Sequence, residues 1–230
     1  MRKLAAILLF FATVAAALAA DSRYELNINE FAELKVIEGL NVNYKSLPDS
    51  AGKAVFTTSK DLASVLMFSN NKGKLTIQIA TDGIDYQNLP TITVYSSYLR
   101  TVENSGDSTV RVLKVAPGAD FNAKLFGNGA LIVDDLHMTK ASLKFGAGNG
   151  TLTATGAVEN LTINFGGTGT IQADGLEAQK INIRAAGTGA IGCYPVKDLK
   201  VYGIGSTSIY YKGKPEITNR SAGLKLIELE

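Results

Sequence analysis

Few side chains in this 230-residue sequence could do chemistry, and none has the neighbours that catalysis needs. His137 is the only histidine, and a metal centre or a catalytic triad would need partners at spacings that the sequence does not provide. Cys193 is the only cysteine, and its place in an apolar alternation predicts a small core residue. We therefore predict no catalytic, cofactor-binding or metal-binding residue.

Two aspartates occupy equivalent places in a repeated pattern. Asp134 and Asp174 each follow an apolar anchor, Leu131 or Ile171, by three residues. Two repeats of stacked strand would separate them by about 9–10 Å, which is too far for a retaining glycosidase and at the outer limit for an inverting one. Aspartate is also common at turns, where it bonds the local backbone. A polysaccharide lyase or a glycoside hydrolase is therefore the alternative hypothesis to a non-enzymatic protein.

Four tyrosines could bind sugars. Aromatic rings exposed on a sheet can stack against the apolar faces of carbohydrates, and Tyr95, Tyr98, Tyr202 and Tyr210 are the candidates. Tyrosine is also simply a good strand former. The sequence leaves both interpretations open.

A glycine-rich phrase of six residues, repeated about every twenty residues, defines the elements that position these side chains. Its copies are 105–110, 126–131, 147–152, 166–171, 186–191 and 204–209. Such fixed-period similarity is typical of stacked-coil proteins. An antiparallel meander is the competing architecture, and it would make the regular period accidental.

Strands with strict alternation precede these phrases. In one of them Leu161, Ile163 and Phe165 alternate with Thr162 and Asn164, so one face is buried and the other is in water. A second short strand and a third apolar anchor follow each phrase, which predicts an all-β fold, a parallel β-helix of roughly 20 residues per coil.

The stacking of the coils follows from this alignment. Phe145 is expected to lie over Phe165, and Leu143 over Ile163, Ile183 and Val201. Gly129, Gly150, Gly169 and Gly189 are expected to mark a sharp corner, often with positive φ.

The N-terminal segment predicts export. Residues 1–20 read as a signal peptide, because Arg2 and Lys3 precede an apolar run that ends in a small-residue cleavage pattern. No cysteine follows the run, so the chain is not a lipoprotein by sequence, and the mature part has no second apolar stretch long enough for a transmembrane segment. The expected location is the periplasm, the outer-membrane surface or the extracellular space.

Residues 21–230 are expected to form a single β-helix domain. Its part 21–100 is irregular, with a short helix within 59–68 that begins after Ser59, and 101–230 contains regular coils and a C-terminal cap. Caps are needed because open strand ladders invite pairing, and the tail 224–229 is one candidate. Without Arg2 and Lys3 the chain has equal numbers of acidic and basic residues, which argues against nucleic acid as partner.

The repeated phrases, together with the ending from Tyr210 to Ile217 and the opening segments 33–36 and 41–44, resemble a bacterial family called "putative auto-transporter adhesin, head GIN domain". The resemblance covers nearly all of the mature chain. It implies a right-handed parallel β-helix exported by bacteria of the Bacteroidetes type, in line with the general preference for right-handed crossovers. It supplies no catalytic motif.

These observations favour an exported binding or structural protein, an adhesin of the cell envelope. The expected partner is surface carbohydrate or another envelope protein, and no cofactor is expected. Exposed ends of the strand ladder could also mediate self-association.

Overall fold

Parallel strands that repeat one coil apart build most of the molecule. The computed structural model describes residues 21–80 and 88–229, so the predicted signal peptide lies outside the described residues. Strands make up 68% of the structure, which confirms the all-β prediction. The strands are β1 Ser22–Asn27, β2 Glu33–Ile37, β3 Val42–Ser46, β4 Lys53–Thr58, β5 Leu66–Asn71, β6 Lys74–Ile79, β7 Ile92–Ser96, β8 Thr101–Ser105, β9 Thr109–Lys114, β10 Gly118–Phe126, β11 Ala130–Ala147, β12 Thr151–Phe165, β13 Thr170–Ala185, β14 Ala190–Ile204, β15 Ser208–Tyr211, β16 Glu216–Ala222 and β17 Lys225–Glu228.

The predicted coil register is confirmed. The fold is a β-solenoid of about 6 turns with roughly 20 residues per coil. Leu143 pairs with Ile163, which pairs with Ile183 in the next coil. The rings of Phe145 and Phe165 stack with their centroids 5.4 Å apart. The inward column therefore repeats the same kind of side chain at each level.

Each coil is more continuous than the sequence suggests. The pattern predicts three short strands per coil, but β11 to β14 run for 15 to 18 residues through two corners and break only at the glycine-rich phrase. The register shifts inside these strands, between Val133 and Leu136 and again between Thr153 and Thr155. Such bulges let a strand bend without losing its partner.

Two sheets face each other across the core. The front sheet contains β2, β6, β8, β10, the later halves of β11 to β14, and β16. The back sheet contains β3, β7, β9, the first halves of β11 to β14, β15 and β17. The middle portions of the long strands form a third, narrow side.

The glycine corners have a different cause from the expected one. None of the four expected glycines has positive φ, whereas Gly127 and Gly148 do, at 137° and 95°; the four are Gly129, Gly150, Gly169 and Gly189. A Cβ on Gly169 would lie 2.2 Å from the Gly150 carbonyl oxygen and 2.5 Å from the Phe145 ring. Glycine is needed there because the coil beneath approaches too closely for a side chain.

The N-terminal end is closed by strands that leave the solenoid pattern. The coil β2–β3 lies between the coil β6–β7 and the coil β8–β9, so the order in space differs from the order in sequence. Antiparallel pairs β1–β4, β4–β7 and β5–β6 complete this end. The predicted helix is present as α1, Lys60–Val65, and the Leu62 N–H donates to the Ser59 side chain at 3.3 Å.

The C-terminal end is built differently. The tail, one candidate for a cap, forms β17, which pairs in parallel with β15 and is the last strand of the back sheet. Asn219 and Ser221 pair with Val201 and Gly203, so polar residues replace apolar ones in the last inward column. Among residues 21–80 and 88–229, no helix has the length and apolar character needed to cross a membrane.

Candidate functional site

A long groove runs along one edge of the front sheet, where the narrow third side meets it. Its open volume is about 900 Å³. We call it the edge groove and define it by the residues Tyr98, Arg100, Asn122, Met138, Lys140 and Asn160. The groove spans several coils, because its lining comes from the loop before β8 and from β10, β11 and β12.

The floor of the edge groove is a column of polar side chains. Asn122 pairs with Ser142, and Ser142 pairs with Thr162 one coil further on. These residues alternate with the buried Ala123, Leu143 and Ile163, so the strand alternation turns their polar groups outward. Amides and hydroxyls both donate and accept hydrogen bonds, which suits a ligand rich in hydroxyl groups.

Tyr98 stands at the rim of the groove with half of its surface exposed, 50%. Its backbone is fixed from below, since the Ser96 hydroxyl donates to the Tyr98 carbonyl at 2.8 Å. Ser96 is also in contact with the hydroxyl of the fully buried Tyr44 at 2.8 Å. Burial raises the pKa of Tyr44, against the opposing effect of its hydrogen bonds to Ser96 and Ser46. The backbone at the exposed ring is thus held by the buried hydroxyl groups of Ser96 and Tyr44.

The four predicted tyrosines do not form one platform. Tyr98 lines the edge groove, and Tyr202 lies at the opposite edge of the front sheet. Tyr95 pairs with Lys45 and Lys53, and Tyr210 pairs with Gly192, which places both on the back sheet. Only Tyr98 combines strong exposure with a concave polar surface.

The two aspartates of the enzyme hypothesis each contact a cation. The Arg111 guanidinium donates to Asp134 at 3.4 Å, and the Lys212 ammonium donates to Asp174 at 3.1 Å. Among the described residues, no group of three His, Cys, Asp or Glu side chains is placed to hold a metal ion. Both acids therefore take part in surface ion pairs between coils, the first pair joining adjacent coils and the second spanning two.

His137 and Cys193 lie apart from any such cluster. The exposed His137 ring is in contact with the Asp135 carboxylate at 2.8 Å. Cys193 is fully buried, and burial together with the Asp174 charge raises the pKa of its thiol to about 12. A thiol held so firmly in its protonated form is a poor nucleophile at neutral pH.

One polar residue inside the core is not among the residues predicted from the sequence. Asn104 is fully buried, and its amide donates to the carbonyls of Ser108 and Ala130 at 2.9 Å each. Its side-chain oxygen accepts from the Gly106 N–H at 3.0 Å. The strand alternation indicates that Asn104 is buried, because it follows the inward-facing Val102 by two residues.

Comparisons with known proteins agree with this architecture. The family model described as "Putative auto-transporter adhesin, head GIN domain" matches residues 30–215. No curated protein sequence matches the chain.

Solved structures of similar fold include proteins from Bacteroides and Parabacteroides. A "putative adhesin" from Bacteroides fragilis is 18% identical with a TM-score of 0.79, over 90% of this chain and 94% of that one. A "putative lipid binding protein" from Parabacteroides distasonis is 20% identical with a TM-score of 0.67, over 93% and 98%. A "putative adhesin" from Parabacteroides merdae is 19% identical with a TM-score of 0.67, over 93% and 98%. At these identities the likeness shows the fold.

Proposed function

Because this chain belongs to the family described as "Putative auto-transporter adhesin, head GIN domain", we propose that it is an exported, non-enzymatic binding protein that contacts a cell-surface glycan through the edge groove. The observation that carries the proposal is the half-exposed Tyr98 ring above a floor of Asn122, Ser142 and Thr162. A sugar presents an apolar face that stacks on an aromatic ring and an edge of hydroxyls that pair with amides and hydroxyls.

The shape of the groove favours an extended ligand over a compact one. The polar column follows the solenoid axis, so equivalent side chains recur at about 4.8 Å intervals. Arg100 and Lys140 add charged groups at its edge that can donate to ring and linkage oxygens, and the Asp120 carboxylate can accept from sugar hydroxyls. One structural neighbour is called a lipid-binding protein, but a floor of amides and hydroxyls is poorly matched to an acyl chain.

A glycan array with the protein of residues 21–230 tests the proposal. We expect specific binding that Tyr98→Ala abolishes, because the ring supplies the stacking surface. Thr162→Val should weaken it, because the change replaces a hydroxyl with a methyl group and keeps a similar shape. Tyr95→Ala is the matched control, since that tyrosine lies on the back sheet and its loss should leave binding unchanged.

Two results would overturn this proposal. A silent array would remove the glycan and direct the search to an envelope protein. Turnover of a polysaccharide that is lost in Asp134→Ala or Asp174→Ala would favour the enzyme hypothesis. Export is tested separately, by fractionating cells that express the full chain and locating the protein outside the cytoplasm.

A further inference from the structure

We propose that the opposite edge of the front sheet is a second binding site, for an acidic polysaccharide that carries carboxylate groups. The site is a shallow shelf of about 460 Å³ beside the glycine corner. We call it the cationic shelf and define it by the residues Lys144, Gly146, Asn164, Gly166, Arg184 and Tyr202. Its lining shares no residue with that of the edge groove.

A single column of outward-facing residues forms the wall of the shelf. Strand pairing places one residue from each of eight strands, β2, β8, β10 to β14 and β16, in register: Lys35, Glu103, Lys124, Lys144, Asn164, Arg184, Tyr202 and Arg220. Five of the eight are cationic and one is acidic. The column thus concentrates positive charge in a chain whose formal net charge is only +2.

Charge compensation is confined to the start of this column. Lys35 forms an ion pair with Glu103 at 2.9 Å. Burial opposes ionisation of Glu103, yet hydrogen bonds from Lys35 and Ser105 and the nearby Lys124 charge outweigh it and lower its pKa. In the part of the chain that the structure describes, Lys144 and Arg184 form no ion pair within 4.0 Å. Both are exposed, so an anion from solution can reach them.

The floor of the shelf is flat because its residues are small. Gly146, Gly166 and Ala186 line it, and the Phe126 ring occupies the space where a Gly146 side chain would lie. Lys144 holds its ammonium 5.3 Å from the centre of the Phe126 ring. At the C-terminal end of the shelf, Ile204 follows Tyr202 by two residues in β14 and is 68% exposed. Apolar surface therefore lies directly beside a row of charges.

This combination fits a linear acidic sugar chain. Carboxylates repeated along the polymer can pair with Lys144 and, in a bidentate manner, with Arg184, while Asn164 bonds a hydroxyl between them. The apolar faces of the sugar rings can pack on the flat floor of the shelf and against the rings of Phe126 and Tyr202. Lys144 and Arg184 lie two coils apart, so the coil spacing of about 4.8 Å separates their strand positions by about 10 Å. Such a row of positive charge also speeds the encounter with a polyanion. The shelf is too open to enclose an acyl chain.

Calorimetry with polygalacturonate oligosaccharides tests this inference, and their methyl esters are the matched ligand, because esterification keeps the sugar backbone and removes the charge. We expect binding of the acid form, weakening as salt is added, and at least about tenfold weaker binding of the ester. The double variant Lys144→Gln, Arg184→Gln should lose about tenfold in affinity. Lys45→Gln, Lys114→Gln is the control, because those two lysines pair with each other on the back sheet.

Equal binding of acid and ester would overturn the inference, and that comparison needs no variant to fold. An equal loss of affinity in both double variants would overturn the inference as well. It would mean that binding depends on the net charge of the protein and not on the position of Lys144 and Arg184. Stronger binding to phosphatidylglycerol vesicles or to duplex DNA than to polygalacturonate would assign the shelf to another partner. Tyr98→Ala should leave polygalacturonate binding intact, so failure at the shelf and failure at the edge groove are distinguishable.

Discussion

The regular coils and the N-terminal region solve the same packing problem in opposite ways. From β10 to β15 each inward residue lies on its counterpart one coil away, as Phe145 lies on Phe165. In the N-terminal region the coil β2–β3 is enclosed by later strands on both sides, and its aromatic stack of Tyr24, Phe56 and Phe68 joins three different strands.

The two regions differ in the neighbouring strands that are available for packing. A coil within a solenoid finds its partner in the next coil, so a repeated sequence is sufficient to specify its packing. The terminal coil has no further neighbour, and its exposed ladder must be closed by strands of another kind. In the N-terminal region antiparallel strand pairs and a helix therefore replace the periodic coils. We expect this region to unfold locally while the coils stay folded.

Removing one ring from each region should separate them most clearly. Phe145→Ala is expected to cost about 3–5 kcal/mol, because it empties a fully packed site in the middle of the ladder. Phe56→Ala should open the N-terminal strands and leave the coils folded. Hydrogen exchange locates the opening, and the rate at which the buried Cys193 thiol is alkylated reports on the coils.

In native protein Cys193 should be unreactive at neutral pH, because burial raises its pKa to about 12. We expect alkylation to accelerate in Phe145→Ala and to stay slow in Phe56→Ala. Equal acceleration in the two variants would mean that the N-terminal region and the coils unfold as one unit, and the distinction drawn between them would be wrong.

A single methyl group added at a glycine corner should also destabilise the coils. A Cβ on Gly189 would lie 1.9 Å from the Gly169 carbonyl oxygen and 2.6 Å from the Phe165 ring. Gly189→Ala should therefore cost about 3 kcal/mol, measured by denaturant unfolding. Gly39→Ala is the control in the N-terminal region, where a Cβ would meet nothing within 4 Å, and it should be neutral or slightly stabilising. Similar losses at both sites would remove the close-approach explanation.

The repeat makes the coils predictable and leaves the N-terminal region largely unpredictable. Alternation and period together specify register, so the stacking of Leu143 on Ile163 follows from the amino-acid sequence alone. The enclosure of β2–β3 does not, because nothing in a single sequence says which later strand will pair on its free side. The four tyrosines fail as a platform for a related reason, since two of them belong to strands of the back sheet.

The two surfaces differ in the same respect. The column Lys124, Lys144, Asn164 and Arg184 is visible in the alternate positions of the repeat, although only the strand pairing shows that it continues to Arg220. The rim of the edge groove depends on the loop around Tyr98, which has no counterpart in the repeat. Function on this scaffold is therefore easier to foresee on the coils than at their junction with the N-terminal region.

Asn104 lies at that junction. Replacing it with an apolar residue tests whether the junction can adopt the regular inward packing of the coils. Its partner in the next coil is Leu125, so Asn104→Leu would continue the apolar column. We nevertheless expect a loss of about 2 kcal/mol, because the Gly106 N–H and the Ser108 and Ala130 carbonyls would be left buried without partners. Urea unfolding measures the loss, and a gain in stability would show that the junction tolerates regular coil packing.

The smallest expected effect compares two ion pairs across pH, one that joins the N-terminal strand β2 to β8 and one that lies within the N-terminal region. The side chain of Glu103 is 16% exposed in its pair with Lys35, whereas that of Glu25 is 48% exposed in its pair with Lys53. The pKa of Glu103 is lowered from 4.5 by Lys35, Ser105 and Lys124 despite the opposing effect of burial, and that of Glu25 is lowered from 4.5 chiefly by the hydrogen bond from Lys53.

A carboxyl whose pKa is lower in the folded state stabilises the fold above its unfolded value, and that stabilisation is lost as the pH falls through the folded pKa. Glu103→Gln should therefore lower the free energy of unfolding at pH 7 and become silent once the pH has fallen well below 4.5. Glu25→Gln should change it less at every pH, because solvent screens the exposed pair. Thermal unfolding of both variants across this range measures the two profiles. A larger effect at Glu25 would mean that the ion pair within the N-terminal region, and not the pair that joins β2 to β8, contributes more to stability.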